Sequence, residues 1–138
     1  MESENERDGR AGRADTKARK RLGDGGERLA TSWLVARGYR EVTRNWRCAY
    51  GEIDVIVERD GELVFVEVKT RRGSRMGAPE EAITPTKRRR LVSAAQMYLI
   101  EHGAEQRPYR IDVVAVALSP AGKLIAIRHY PASVGLDE

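Results

Sequence analysis

Asp54, Glu67 and Lys69 are the residues of this chain whose types and spacing could do chemistry. Two carboxylates held together repel, and a cation between them relieves the repulsion. Mg²⁺ or Mn²⁺, with oxygen ligands at about 2.0–2.1 Å, fits between two such side chains. The backbone carbonyl of Val68 could add a third protein oxygen. A divalent cation next to a lysine in a basic chain points to phosphodiester chemistry.

That reading requires a hairpin. Two apolar-rich runs, Ile53 to Val57 and Leu63 to Val68, flank Arg59-Asp60-Gly61-Glu62. Asp-Gly between β-branched runs signals a two-residue turn with positive φ at both positions. With Asp60 and Gly61 at the corner, Arg59 pairs with Glu62, Val57 with Val64, Ile56 with Phe65, Asp54 with Glu67, and Glu52 with Lys69. Strand alternation then puts Ile53, Val55, Val57, Val64, Val66 and Val68 on one apolar face. Asp54, Ile56, Glu58, Leu63, Phe65, Glu67 and Lys69 share the other face, with the polar groups gathered away from the turn. A plainer reading is equally open at this point: Lys69 and Glu52 form an ordinary cross-strand ion pair, and the two acids are simply solvated.

The remaining elements must frame this hairpin. A helix is predicted from about Gly25 to Arg37, with an apolar stripe of Leu29, Ala30, Trp33, Leu34 and Ala36, stopping at Gly38. Asp24 and Glu27 have the spacing of a capping box, which gives Glu27 a structural role. Val42 to Cys48 reads as a short strand carrying Asn45, Trp46 and Arg47. These three could stack on a base or grip a phosphate, although a Trp packed at a sheet edge is the commoner outcome. Arg71, Arg72 and Arg75 fall in a glycine-containing loop after Lys69 and suit phosphate contact, or form a mobile charged loop. Thr84-Pro85 opens a second helix, with Leu91, Val92, Ala95, Tyr98 and Leu99 buried and an end at Gly103. Lys87, Arg88, Arg89 and Arg90 crowd its first turns, where cations oppose the helix dipole and an anionic ligand would offset that; a solvated face is the alternative. Arg110 to Leu118 reads as a central strand covered on both sides. Asp112 at its entry could pair with Arg110 or Lys69, or orient a water near the acids. Leu124 to Tyr130 is a closing strand. The order α, β, β-hairpin, α, β, β predicts an α/β sandwich on a mixed sheet.

Several blocks resemble the YraN-like family, small bacterial proteins with a restriction-endonuclease-like fold. They are Gly26-Glu27, Asn45-Trp46-Arg47, Gly51-Glu52-Ile53-Asp54, Phe65-Val66-Glu67-Val68-Lys69-Thr70-Arg71 and Arg110-Ile111-Asp112-Val113-Val114. The resemblance runs from about Gly23 to Tyr130. It implies a three-layer sandwich, a mixed β-sheet flanked by helices, of the PD-(D/E)xK nuclease kind, with archaeal Holliday junction resolvases as the most similar relatives. It further implies Glu27, Asp54, Glu67 and Lys69 as catalytic residues, with Glu27 leaning toward the metal directly or through water. Ile53 stands where many such nucleases have proline, a position at which the resolvases also lack it.

The length of 138 residues suits one domain, and 41% hydrophobic residues suffice for a single core. We expect a disordered charged tail over residues 1–22, a nuclease-like domain over 23–131 and a C-terminal tail over 132–138. The net charge of +4 makes polyanions plausible partners, though such basicity also simply aids solubility. One cysteine, Cys48, excludes an intrachain disulfide and suits the cytoplasm, and two separated histidines argue against zinc. No apolar run is long enough to span a bilayer. The expected function is a Mg²⁺- or Mn²⁺-dependent endonuclease on DNA, with branched or junction DNA in repair or recombination as its substrate. In that role Asp112 supports the site, and Arg47, Arg71, Arg72, Arg75 and Lys87 to Arg90 position the DNA. A resolvase would also be a homodimer. The alternative is a catalytically silent nucleic-acid-binding module with a nuclease-like fold.

Overall fold

The computed structural model describes residues 21–73 and 83–134. Arg75, most of the expected N-terminal tail and residues 135–138 lie outside them. Helix α1, described over residues 21–35, precedes all the strands. It is followed by β1 (Arg40–Cys48), β2 (Gly51–Arg59), β3 (Glu62–Arg72), α2 (Pro85–Glu101), β4 (Tyr109–Leu118) and β5 (Leu124–Tyr130). The five strands form one sheet in the order β1-β2-β3-β4-β5. Only β3 and β4 run parallel, and α2 is the crossover that such a pair requires. The fold is α/β on a mixed sheet, as the pattern predicts. Among the described residues no helix is long and apolar enough to cross a membrane.

The turn chemistry sets the hairpin. Asp60 and Gly61 have φ of 53° and 82°, the positive pair that the sharp corner needs. Arg59 then lies opposite Glu62, Val57 opposite Val64 and Ile56 opposite Phe65, as counted from the sequence.

Each sheet face packs on one helix. Val55, Val57, Val64, Val66, Val114 and Val116 form a core with Ala30 and Leu34 of α1. Ile56, Leu63, Phe65, Ile111 and Val113 form the other with Leu91, Ala94, Ala95, Tyr98 and Leu99 of α2. Ile53 breaks the predicted alternation, because it packs with Ile56 on the α2 side rather than with Val55. Trp46 also packs into that core, edge-on to Tyr98 at 5.3 Å between ring centres. It is a packing residue at the sheet margin.

The helix starts divide the predictions. Thr84 caps α2 by accepting from the Lys87 N–H at 3.1 Å, with Pro85 at the first helical position. The capping box at Asp24 and Glu27 does not form, because α1 is already helical at residue 21. Residues 21 and 22 accordingly belong to α1 and not to a tail. The Glu27 backbone carbonyl is engaged by Thr31 Oγ1 at 2.7 Å one turn later. The glycine at position 26 brings α1 onto the far end of β3. A methyl group there would lie 2.9 Å from Thr70 Cβ and overlap its hydroxyl.

Asp112 belongs to the frame, which overturns the expectation that it supports the acid pair. It is 0% exposed and accepts from Arg110 Nε at 3.0 Å, His129 Nε2 at 2.7 Å and the Ala132 N–H at 2.8 Å. Arg110 extends the network to Tyr39 Oη at 2.7 Å and to Glu62. His129 stands edge-on to Trp33 and Tyr39, which places the cluster on the α1 side. Burial by itself would raise the Asp112 carboxyl, but hydrogen bonds from His129, Ala132 and Arg110 outweigh it and hold the group below its ordinary range.

Two stability outcomes follow from this frame. Asp112→Asn should cost about 3 kcal/mol in urea unfolding at neutral pH, because it leaves Arg110 without its buried counter-charge. A lowered carboxyl stabilises the fold above its unfolded-chain value, so the gap to wild type should close as pH falls below about 4. Gly26→Ala should destabilise by about 1–2 kcal/mol despite the better helix propensity of alanine, since the added methyl meets Thr70. Thr70→Ala in the same chain should recover part of that loss, and full additivity of the two changes would refute the contact.

Candidate active site

The site begins where β2 and β3 part. Their paired register runs inward from the turn to Val55 opposite Val66. Beyond that point β2 continues on its other side, with Ile53 opposite Trp46 and Glu52 opposite Arg47. On the β3 side, the Val68 N–H is taken by a side chain, donating to Asp54 Oδ2 at 2.8 Å. Within a strand residue the N–H and C=O point to the same side, so the Val68 carbonyl also faces this fork. Asp54 is thereby tied to the peptide between Glu67 and Lys69.

Burial and charge make Asp54 an unusual carboxyl. Its pKa is pushed up to about 8, first by burial, then by the negative charge of Glu67, with Glu27 adding to the effect. The Val68 N–H and Lys87 oppose that rise. Glu67 is 3% exposed and carries two ammonium groups on one oxygen. Lys69 Nζ lies 3.2 Å from Glu67 Oε1 and Lys87 Nζ lies 2.8 Å from it. Burial lowers the pKa of Lys69, the like charge of Lys87 lowers it further, and Glu67 only partly compensates. Burial would lower Lys87 as well, but its hydrogen bond to Glu67 and the charge of that carboxylate carry it upward.

Glu27 reaches the same neighbourhood from α1. Its carboxyl is raised by burial and by the charges of Asp24 and Glu52, while a hydrogen bond from Asn45 and the charge of Arg44 pull the other way. Asn45 itself holds a φ of 54°, uncommon for a residue within a strand. An open cleft of about 1050 Å³ separates α1 from β1 and β2, and Asp24, Glu27, Arg44, Asn45, Arg47 and Asp54 are on its walls.

The plain ion pair between Glu52 and Lys69 is not found. Glu52 is 3.6 Å from Arg47 on β1, and Lys69 turns to Glu67. The predicted substrate-binding cations are scattered. Arg47 is largely exposed on the cleft wall. Arg71 is exposed, donating to its neighbour's carbonyl, Thr70 O, at 3.3 Å. Arg72 Nε donates to Pro120 O at 2.8 Å, in the turn between β4 and β5. β3 extends through both arginines, so they are strand residues rather than loop residues. Arg88 is half-buried, Arg89 donates to Thr86 Oγ1 at 3.3 Å, and Arg90 is exposed. Of the cations on α2, Lys87 is the one that contacts the acid pair.

The contact of Lys87 with Glu67 is what the sequence reading missed. The signal was available: Lys87 stands four residues before Leu91, seven and eight before Ala94 and Ala95, and eleven before Tyr98. It therefore shares the buried face of α2. Among the described residues no group of three or more His, Cys, Asp or Glu side chains is arranged to hold a metal ion. The oxygen donors at the fork are accordingly two carboxylates and a main-chain carbonyl. That is a hard donor set, of the type Mg²⁺ and Mn²⁺ accept when water or phosphate completes the shell.

The family model for the uncharacterised protein family UPF0102 matches residues 26–116, which include Glu27, Asp54, Glu67, Lys69 and Lys87. The chain is similar to a UPF0102 protein of Roseiflexus castenholzii, with 47% identity over 120 residues, covering 86% of this chain and 97% of the relative. A UPF0102 protein of Symbiobacterium thermophilum is 51% identical over 105 residues, 76% of this chain and 89% of its own. One from Beutenbergia cavernae is 52% identical over 107 residues, 77% of this chain and 90% of its own. This chain belongs to the UPF0102 family, the YraN-like proteins.

Proposed function

We propose that this protein is a Mg²⁺- or Mn²⁺-dependent endonuclease that hydrolyses DNA phosphodiester bonds, built on a restriction-endonuclease-like sandwich. The observation that carries the reading is the 2.8 Å bond from the Val68 N–H to Asp54. It brings an aspartate on one strand against a Glu-Val-Lys on the next, with the glutamate buried and the lysine on its carboxylate. Buried like charges are costly, and a carboxyl driven up to about 8 is a group awaiting a cation.

Asp54, Glu67 and the Val68 carbonyl would hold the ion. A bound divalent cation supplies Lewis-acid polarisation of the phosphate and a water of lowered pKa. Lys69 does the rest from the protein side. Its ammonium can hold charge developing on a phosphate oxygen, and its lowered pKa favours taking the proton of the attacking water. Glu27 stands on the cleft wall, where it can orient a water toward Asp54. Arg47 on the cleft wall and Lys87 on Glu67 would supply backbone contacts. A cytoplasmic protein acting on branched DNA as a homodimer is the extended form of this reading.

The test is incubation with plasmid, single-stranded and four-way-junction DNA in Mg²⁺, Mn²⁺ or EDTA. Cleavage should appear with either ion, vanish in EDTA, and fall roughly a hundredfold or more in Lys69→Met. Salt-sensitive binding without any cutting by the wild type would establish the silent module instead.

A second outcome concerns pH. A cation must displace the Asp54 proton below about 8, so Mn²⁺ affinity should climb by up to roughly tenfold per pH unit and level off above that value. In Asp54→Asn the affinity should be weak and the slope absent. A wild-type affinity that does not change between about pH 6 and about pH 8 would contradict the assignment.

A further inference from the structure

Glu67 Oε1 is over-subscribed. Lys69 approaches it at 3.2 Å and Lys87 at 2.8 Å, and the two ammonium groups repel across it. A divalent cation bound between Asp54 and Glu67 would put a third positive group there. Repulsion among the three would loosen one of the lysines, and the structure distinguishes them. The Lys69 side chain is 16% exposed and projects from a strand locked in register with Ala115 of β4. The Lys87 side chain is 44% exposed on a flexible four-carbon stem, so it regains water as it leaves. Lys87 also sits in the first turn of α2, where the helix dipole disfavours a cation. Glu67 offsets that while the contact lasts, and an anionic ligand offsets it afterwards.

We infer that Lys87 is a displaceable counter-ion. It neutralises Glu67 when no divalent cation is bound, yields the oxygen when one arrives, and its freed ammonium then binds a non-bridging oxygen of the substrate phosphodiester. The inference rests on the two-carboxylate cation site proposed above. It makes Lys87 a substrate-binding residue in the site itself, distinct from the exposed Arg89 and Arg90 further along α2. A merely structural ion pair makes a different prediction: removing its ammonium would tighten cation binding but leave affinity for the duplex unchanged.

The experiment uses the full chain as wild type, Lys87→Met, Lys87→Arg and Asp54→Asn. Mn²⁺ binding is followed by electron paramagnetic resonance, and binding of a short labelled DNA duplex in non-cleaving Ca²⁺ by fluorescence anisotropy. Lys87→Met should bind Mn²⁺ roughly three- to tenfold tighter than wild type, the scale of one partly exposed competing charge removed. It should also bind the duplex at least roughly threefold more weakly, while Lys87→Arg retains wild-type duplex affinity. Mn²⁺ affinity unchanged or weakened in Lys87→Met, with binding still lost in Asp54→Asn, overturns the displacement and leaves the cation site standing. Tighter Mn²⁺ with unchanged duplex affinity overturns the phosphate contact. Equal behaviour of wild type and Asp54→Asn toward Mn²⁺ overturns the site and this inference together.

Discussion

The candidate site depends on a substitution of side chain for main chain. Where β2 and β3 would continue their ladder, Asp54 accepts the Val68 N–H in place of a backbone carbonyl. The exchange keeps a buried donor satisfied while opening the sheet between its second and third strands. It also fixes the carboxylate next to Glu67, with Lys69 on the far side of the same peptide. The energetic cost of crowding acids appears in the raised Asp54 carboxyl, and the two lysines on Glu67 offset part of it. Every property of the cluster follows from that fork: burial, mutual repulsion, and an affinity for positive charge.

Much of this was legible in the chain because a two-residue turn is a short-range device. Asp60-Gly61 admits one corner geometry, and the register from Arg59 opposite Glu62 to Ile56 opposite Phe65 follows from it by counting. Counting fails at the fork, where Asp54 leaves the ladder and Ile53 turns to the α2 side. Alternation describes a regular strand and carries no information about where pairing stops. The capping box at Asp24 failed for a related reason. A local spacing was read as a terminus although the helix already extended through it. The charge of Lys87 and its place at the helix start do not name its partner; its place on the buried stripe of α2 does.

Two buried acids, on neighbouring strands, have opposite fates. Val66 pairs with Asp112 and Glu67 with Val113, so the acids are offset by a single step in register. The pleat sends them to different sides of the sheet: Glu67 joins Phe65 and α2, and Asp112 joins Tyr39, His129 and α1. Asp112 is saturated, with Arg110, His129 and the Ala132 N–H all donating to it. Glu67 is met by two lysines on flexible stems, and Asp54 beside it accepts from the Val68 N–H. The contrast separates the acid locked into the frame from the acids whose partners can be exchanged.

The sheet stands between these clusters. Its valine-rich layer holds the salt network under α1 structurally apart from the lysines and glutamate under α2. The charges at Glu67, Lys69 and Lys87 can therefore be changed by substitution without removing any partner of Asp112. Relatives that differ at those three positions would keep the cleft and the sheet, and would be almost indistinguishable in outline.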